Sequence, residues 1–373
     1  MVEERVTITA RETVVTRNAA ADRLKVVLVC AVIVAHCAIT YGADGGWFYH
    51  EGGDASVLAD VLTVPLALGA LFAMGAFFYV AGCFMPSSLD RKGIRRFAAE
   101  RAVRLGIPVA AYVCVVVPAI EWLVAVTAGP RRTAADIWSD QLHELDTGPL
   151  WFAAALLIFS VAYATFTSLR RIPVSTTPLR VRTLLVCAAT IAVLSFVLRI
   201  WFPIDTFQIG ALHVWQWGQC LGLFALGAFL GQRGLTTFDH RVVVTCRWLL
   251  GIGALAVLLL IAAYSDKTDP LGGGLHWQSA TVAVIEGIVS VSATVVLLDV
   301  LRRWRGRGSG ELARRAFGAY VLQAPVIVVF ALALRDVPVP GGVKLLLLAP
   351  ASVAACFVLA GLLRRVRLLR RIV

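Results

Sequence analysis

Apolar stretches of membrane-crossing length recur along almost the whole chain. Ten of them lie at about 24–41, 62–85, 105–126, 149–168, 182–201, 213–231, 247–264, 276–301, 316–334 and 343–363. A helix needs about 20 consecutive apolar residues to cross the hydrocarbon core, and the backbone must satisfy its own amides there. The pattern therefore predicts an all-α fold, a polytopic membrane helical bundle of about ten transmembrane helices. Composition agrees, because 59% of the 373 residues are hydrophobic, 16% are charged and the mean hydropathy is +0.81. A soluble domain stays near half apolar.

The net charge of +12 is distributed by topology. Most Lys and Arg fall in the amino-terminal segment, in alternate connections (Arg91, Lys92, Arg95, Arg96, Arg101 and Arg104 in the second) and in the carboxy-terminal segment. Acidic residues such as Asp44, Glu51, Asp54 and Asp60 gather in the first intervening loop. This alternation predicts both termini on the cytoplasmic side and an even number of spans. It also removes the reason to invoke a nucleic-acid partner for the excess charge. The expected division is a polar cytoplasmic tail over 1–20, a transmembrane domain over 21–365 and a basic cytoplasmic tail over 366–373. The first 20 residues are polar and of mixed charge, unlike a cleavable signal peptide. Eight cysteines stand singly, mostly inside spans and without a CxxC pair, as small apolar packing residues. No metal site is expected.

His36 interrupts the apolar run ADRLKVVLVCAVIVAHCAITYG (21–42). An ionisable side chain inside a span faces a polar cavity or a partner helix. Lys25 precedes it by eleven residues, close to three helical turns, so both share one face about 16 Å apart. Arg101 and Arg104, three residues apart in MPSSLDRKGIRRFAAERAVRLGIP (85–108), share a face on the same side of the membrane as Lys25. Clustered cations at this depth serve as headgroup anchors or as a clamp for phosphate.

These segments resemble the acyltransferase 3 family of membrane acyltransferases, in the branch that modifies glucans with succinyl groups. The likeness runs from about residue 18 to 365. Lys25 and His36 match a basic residue, ten intervening positions and a histidine, with Lys25 standing where the family usually has Arg. FFYVAGCFMPSSL (77–89) resembles the end of the family's second span, and Arg101 and Arg104 match its paired arginines. GPLWFAAALLIF (148–159), QCLGLFALGAFLGQRGL (219–235) and FGAYVLQAPVIV (317–328) complete the series. Many members carry histidine where this chain has Gln323.

The resemblance implies an O-acyltransferase of the cell membrane. It would take acyl-CoA from the cytoplasm and acylate a hydroxyl, less often an amine, of a glycan or small metabolite. Lys25, Arg101 and Arg104 would hold the phosphates of coenzyme A. His36 would act as general base on the acceptor, or as a relay through an acyl-histidine. An exporter of a small anionic metabolite would also place polar residues in spans, but no paired, Gly/Pro-broken halves are visible. A non-catalytic member of the same fold is a further alternative.

Other polar residues have two readings each. Glu286, within the eighth stretch, orients the imidazole or an acceptor hydroxyl, or pairs with Arg199. Trp151, Trp215 and Trp217 sit in the interfacial belt or stack on a sugar. Tyr320 and Gln323, three residues apart, line the cavity. The substrate-binding set is therefore Glu286, Trp151, Tyr320 and Gln323. Asp140, His143, Glu144 and Asp146 read as a solvated loop. His50, His213, His240 and His276 fall near loops or span ends and receive no chemistry.

Overall fold

The computed structural model describes residues 18–51, 57–130, 132–170, 174–175, 179–204, 206, 208–235, 238–264, 269–304, 309–367 and 369. The expected amino-terminal tail lies outside the described residues up to position 17, as do 368 and 370–373 of the expected carboxy-terminal tail. The described residues form helices and no strand. In chain order the main helices are α1 (Ala19–Thr40), α2 (Val57–Ala70), α3 (Ala73–Lys92), α4 (Ile94–Thr127), α5 (Ala134–Glu144) and α6 (Trp151–Leu169). They continue as α7 (Val181–Trp201), α8 (Trp217–Leu230), α9 (His240–Ala263), α10 (Trp277–Arg303), α11 (Ser309–Leu334) and α12 (Gly341–Leu363).

Local chemistry explains the boundaries. Asn18 caps α1, its side chain accepting from the amides of Ala20 and Ala21 at 3.1 Å each. Gly93, at φ 71°, separates α3 from α4 in a conformation that glycine adopts without strain. Helix α4 starts at Ile94, so the arginine-bearing segment around Arg101 and Arg104 is the first part of one long span. It widens into π-turns at Ala102–Gly106 and Tyr112–Val116. Pro108 and Pro118 each follow such a segment by two residues. A proline lacks an N–H and presses on the carbonyl four residues back, here Arg104 and Cys114, and the wider turn relieves both problems.

Nine stretches of described helix are long and apolar enough to cross a bilayer. The tenth expected stretch, over 213–231, is α-helical over less of its length than the apolar run suggests. Its α-helix starts only at Trp217, and 14 residues rise about 21 Å against a hydrocarbon core of about 30 Å. Short 3-10 turns at Val214–Gln216 and Gly231–Leu235 extend it at both ends. The cause lies upstream, where Gly210, Ala211 and His213 all have positive φ and hold the chain out of the helix.

Helix α8 packs backbone to backbone on α3. A Cβ added at Gly82 would stand 2.3 Å from the Phe224 carbonyl oxygen, and one at Gly227 would stand 2.3 Å from that of Tyr79. Small residues at such crossings let helices approach when apolar burial gives no net drive between them. Two buried clusters fill the bundle. One joins α1, α3, α4, α6, α8, α11 and α12, and the other joins α1, α3, α7, α8, α9 and α10. Helix α1 belongs to both, which puts His36 in the bundle rather than on its rim.

Candidate functional site

His36 sits one turn before the end of α1. Its Nδ1 lies 3.0 Å from Gln323 Oε1 on α11. With the amide oxygen facing the ring, Nδ1 carries the proton and Nε2 is left as the basic nitrogen. The indole of Trp47 stacks on the imidazole, with centroids 4.1 Å apart and 12° between the planes. Both rings are half-buried.

Trp47 gets there because the loop after α1 folds back over the helix end. The Glu51 amide donates to the Thr40 carbonyl at 2.8 Å, and the Glu51 carboxylate pairs with Lys344 at the start of α12. Trp47 Nε1 and Gln323 Nε2 are buried donors with no partner among the described residues. Leaving such a group unpaired costs about 1–3 kcal/mol. Both donors belong to side chains that touch the His36 imidazole.

Tyr320 turns its hydroxyl onto the carbonyl of Pro149, just before α6. Trp151, in the first turn of α6, lies 5.1 Å from His213, which meets Trp215 edge-on at 5.9 Å. His213 also lies within electrostatic reach of His36. Burial pushes the His213 imidazole down to about 4, so it is neutral near pH 7. Its left-handed backbone (φ 46°, ψ 49°) costs a non-glycine residue roughly 1–3 kcal/mol. Hydrogen bonds around the loop hold it there. Thr147 Oγ1 donates to the Gly210 carbonyl (2.7 Å), the Val214 amide to Gln208 Oε1 (2.8 Å) and Trp217 Nε1 to the Leu212 carbonyl (2.9 Å).

Glu286 belongs to a different constellation. It is fully buried, accepting from Arg199 Nη2 at 2.7 Å and from Gln219 Nε2 at 2.9 Å. Of its open alternatives the structure has the pairing with Arg199, while the imidazole takes Gln323 instead. Glu286 is also not the only carboxylate sunk in a span. Asp299 on α10 is fully buried and paired with Arg247, Arg302 and Arg303.

Lys25, Arg101 and Arg104 stand at the opposite, basic end. The Lys25 ammonium lies 3.8 Å from Asp22 and 5.2 Å from the centre of the Phe84 ring. Arg101 reaches the neighbouring Met85 sulfur at 3.8 Å and lies over Phe97. The last turns of α3 thus collect both cations. Arg104 lies within electrostatic reach of Arg364. Arg364 lines a cleft of about 510 Å³ with Glu311, Arg314, Arg315, Gly361 and Arg365. Among the described residues no three His, Cys, Asp or Glu side chains gather as metal ligands would.

The structure therefore brings His36 to Gln323, Trp151 to His213 and Tyr320 to the carbonyl beside Trp151, and leaves the cations at the far end. Trp47 and His213 escaped the sequence reading. Trp47 follows two glycines in a loop of no regular period, and His213 sits where the apolar run imitates a helix start. Only the fold-back of two loops reveals them.

The profile of the acyltransferase 3 family, described as an acyltransferase domain, matches residues 18–364. No curated protein and no solved structure matches the chain. With that profile spanning every described helix, the chain belongs to the acyltransferase 3 family and is a multi-pass membrane acyltransferase.

Proposed function

We propose that the protein moves an acyl group from cytoplasmic acyl-CoA to a hydroxyl of a glycan or small metabolite at the plasma membrane. Residues 21–365 form the catalytic unit, and 1–20 and 366–373 are cytoplasmic tails. The carrying observation is the 3.0 Å contact between His36 Nδ1 and Gln323 Oε1, which leaves Nε2 as the base.

In the reaction His36 Nε2 takes the proton from the acceptor hydroxyl as its oxygen attacks the thioester carbonyl. The tetrahedral oxyanion is met by the spare donors Trp47 Nε1 and Gln323 Nε2. The C–S bond then breaks, and the imidazolium returns its proton to the departing thiolate, giving the ester and free coenzyme A. In the relay version Nε2 itself takes the acyl group before the acceptor does.

The donor's phosphates lie on Lys25, Arg101 and Arg104, with the arginine-lined cleft around Arg364 beside them. The pantetheine arm spans the distance of about 16 Å along α1 from Lys25 to His36. The test is to incubate purified protein with acetyl-CoA or succinyl-CoA and a membrane glycan extract. Thiol release together with one acyl mass shift in the extract is expected. Passage of a metabolite across the membrane without thiol release would overturn the proposal. An acyl-protein trapped in a single turnover selects the relay.

A further inference from the structure

Resting on this acyltransfer reading, the position of the acceptor follows from the loop that carries His213. Several features converge there. Gly210, Ala211 and His213 all adopt positive φ, an arrangement that closes off the helix and leaves His213 within electrostatic reach of His36. Hydrogen bonds donated by Thr147 and Trp217, and one accepted by Gln208 from the Val214 amide, pin the strained segment. Strain retained and clamped in this way points to a side chain held for use.

The neighbours of His213 are indole rings. Trp151 lies 5.1 Å and Trp215 5.9 Å from its ring; Trp151 is buried, and His213 and Trp215 are half-buried. Behind Trp215 lies the guanidinium of Arg199, 5.9 Å from the ring centre. Arg199 is 1% exposed, and its Nε and Nη1 have no partner among the described residues. One end of Arg199 is anchored on Glu286 while hydrogen-bonding capacity remains beside the loop. Arg199 thus positions Trp215 by a cation–π contact.

We propose that His213, Trp151 and Trp215 form the acceptor subsite and that it takes a polyhydroxylated ring, a single sugar residue. The C–H face of such a ring packs on an indole, and a neutral imidazole donates to one ring hydroxyl and accepts from another. A neighbouring hydroxyl is then presented to His36. A charged acceptor would need a counter-charge, and the Arg199 guanidinium beside Trp215 is already paired with Glu286.

The test measures CoA release from acetyl-CoA by the full chain in lipid nanodiscs, with the methyl glycosides of glucose, galactose, mannose and rhamnose as acceptors. At least one glycoside should accelerate release with saturation. Trp215→Ala and His213→Asn should each raise the KM for that glycoside at least tenfold and change the KM for acetyl-CoA less than twofold. Asparagine tolerates the left-handed backbone, so that variant keeps the loop. Trp215→Phe should restore part of the affinity, and Trp248→Ala, on the exposed face of α9, should leave it unchanged. Equal glycoside KM values in wild type, Trp215→Ala and His213→Asn would overturn the subsite. So would acetyl-CoA hydrolysis that depends on His36 but responds to none of the four glycosides. Absence of any His36-dependent acetyl-CoA turnover would instead remove the acyltransfer reading on which the subsite rests.

Discussion

The imidazole of His36 and the indole of Trp47 lie face to face at 4.1 Å, although one belongs to a membrane helix and the other to the loop after it. The stack fixes the ring plane that the Gln323 contact leaves free to tilt. Aromatic pairs of this kind contribute about 0.5–1.5 kcal/mol beyond their buried area. Removing Trp47 also removes a spare donor. We expect Trp47→Ala to lower kcat by about tenfold or more, and Trp47→Phe, which keeps a ring but no N–H, to fall between. Steady-state CoA release measures both.

Gln323 holds the tautomer of His36 through Oε1. Leucine in its place fills similar space and accepts nothing, so the proton is free to occupy either nitrogen. Gln323→Leu should lose about 100-fold in kcat with little change in the KM for acyl-CoA. Gln323→His, which has a ring nitrogen able to accept, should recover most of that loss. A variant pair with equal rates would show that the contact orients nothing.

The buried pair of Arg199 and Glu286 lends itself to a double-mutant cycle. Arg199→Met leaves the Glu286 carboxylate in the bundle without its counter-charge and should cost about 3–5 kcal/mol of stability. Glu286→Gln together with Arg199→Met should cost markedly less, because no uncompensated charge remains. Thermal unfolding in detergent gives the coupling directly.

His213 predicts how stability depends on pH. Its folded pKa is lowered by burial to about 4, below the ordinary value of about 6.5. The unfolded chain therefore binds the proton first as pH falls. The stability contributed by the neutral ring is complete above about pH 6.5 and drains away between pH 6.5 and 4. We expect melting temperatures to decline across that window and His213→Asn to flatten the decline. An unchanged slope would place the decline on other groups.

Much of the bundle is legible in the sequence because lipid imposes a length and a polarity on every span. The runs behind α1, α6, α7 and α12 meet that rule with little interruption, and their boundaries follow. The short helix α8 does not, because its apolar run continues upstream into residues whose positive φ no hydropathy pattern encodes. His36 is visible for the same reason that it is costly, as an ionisable group among apolar neighbours. Its partner Gln323 lies 287 positions away, and only packing of α1 on α11 joins them. Trp47 and His213 sit in loops, where composition says little about where the chain returns. Asp299 was hidden by its nearness to a helix end, where a carboxylate beside arginines resembles a solvated pair.

The most direct measurement is acetyl-CoA-dependent acyl transfer by purified His36→Gln protein beside wild type, with folding checked by equal melting temperatures. Loss of a general base that also steers the thiolate's proton should lower kcat by about 100-fold to 10,000-fold. Transfer within threefold of wild type would contradict a catalytic role for His36.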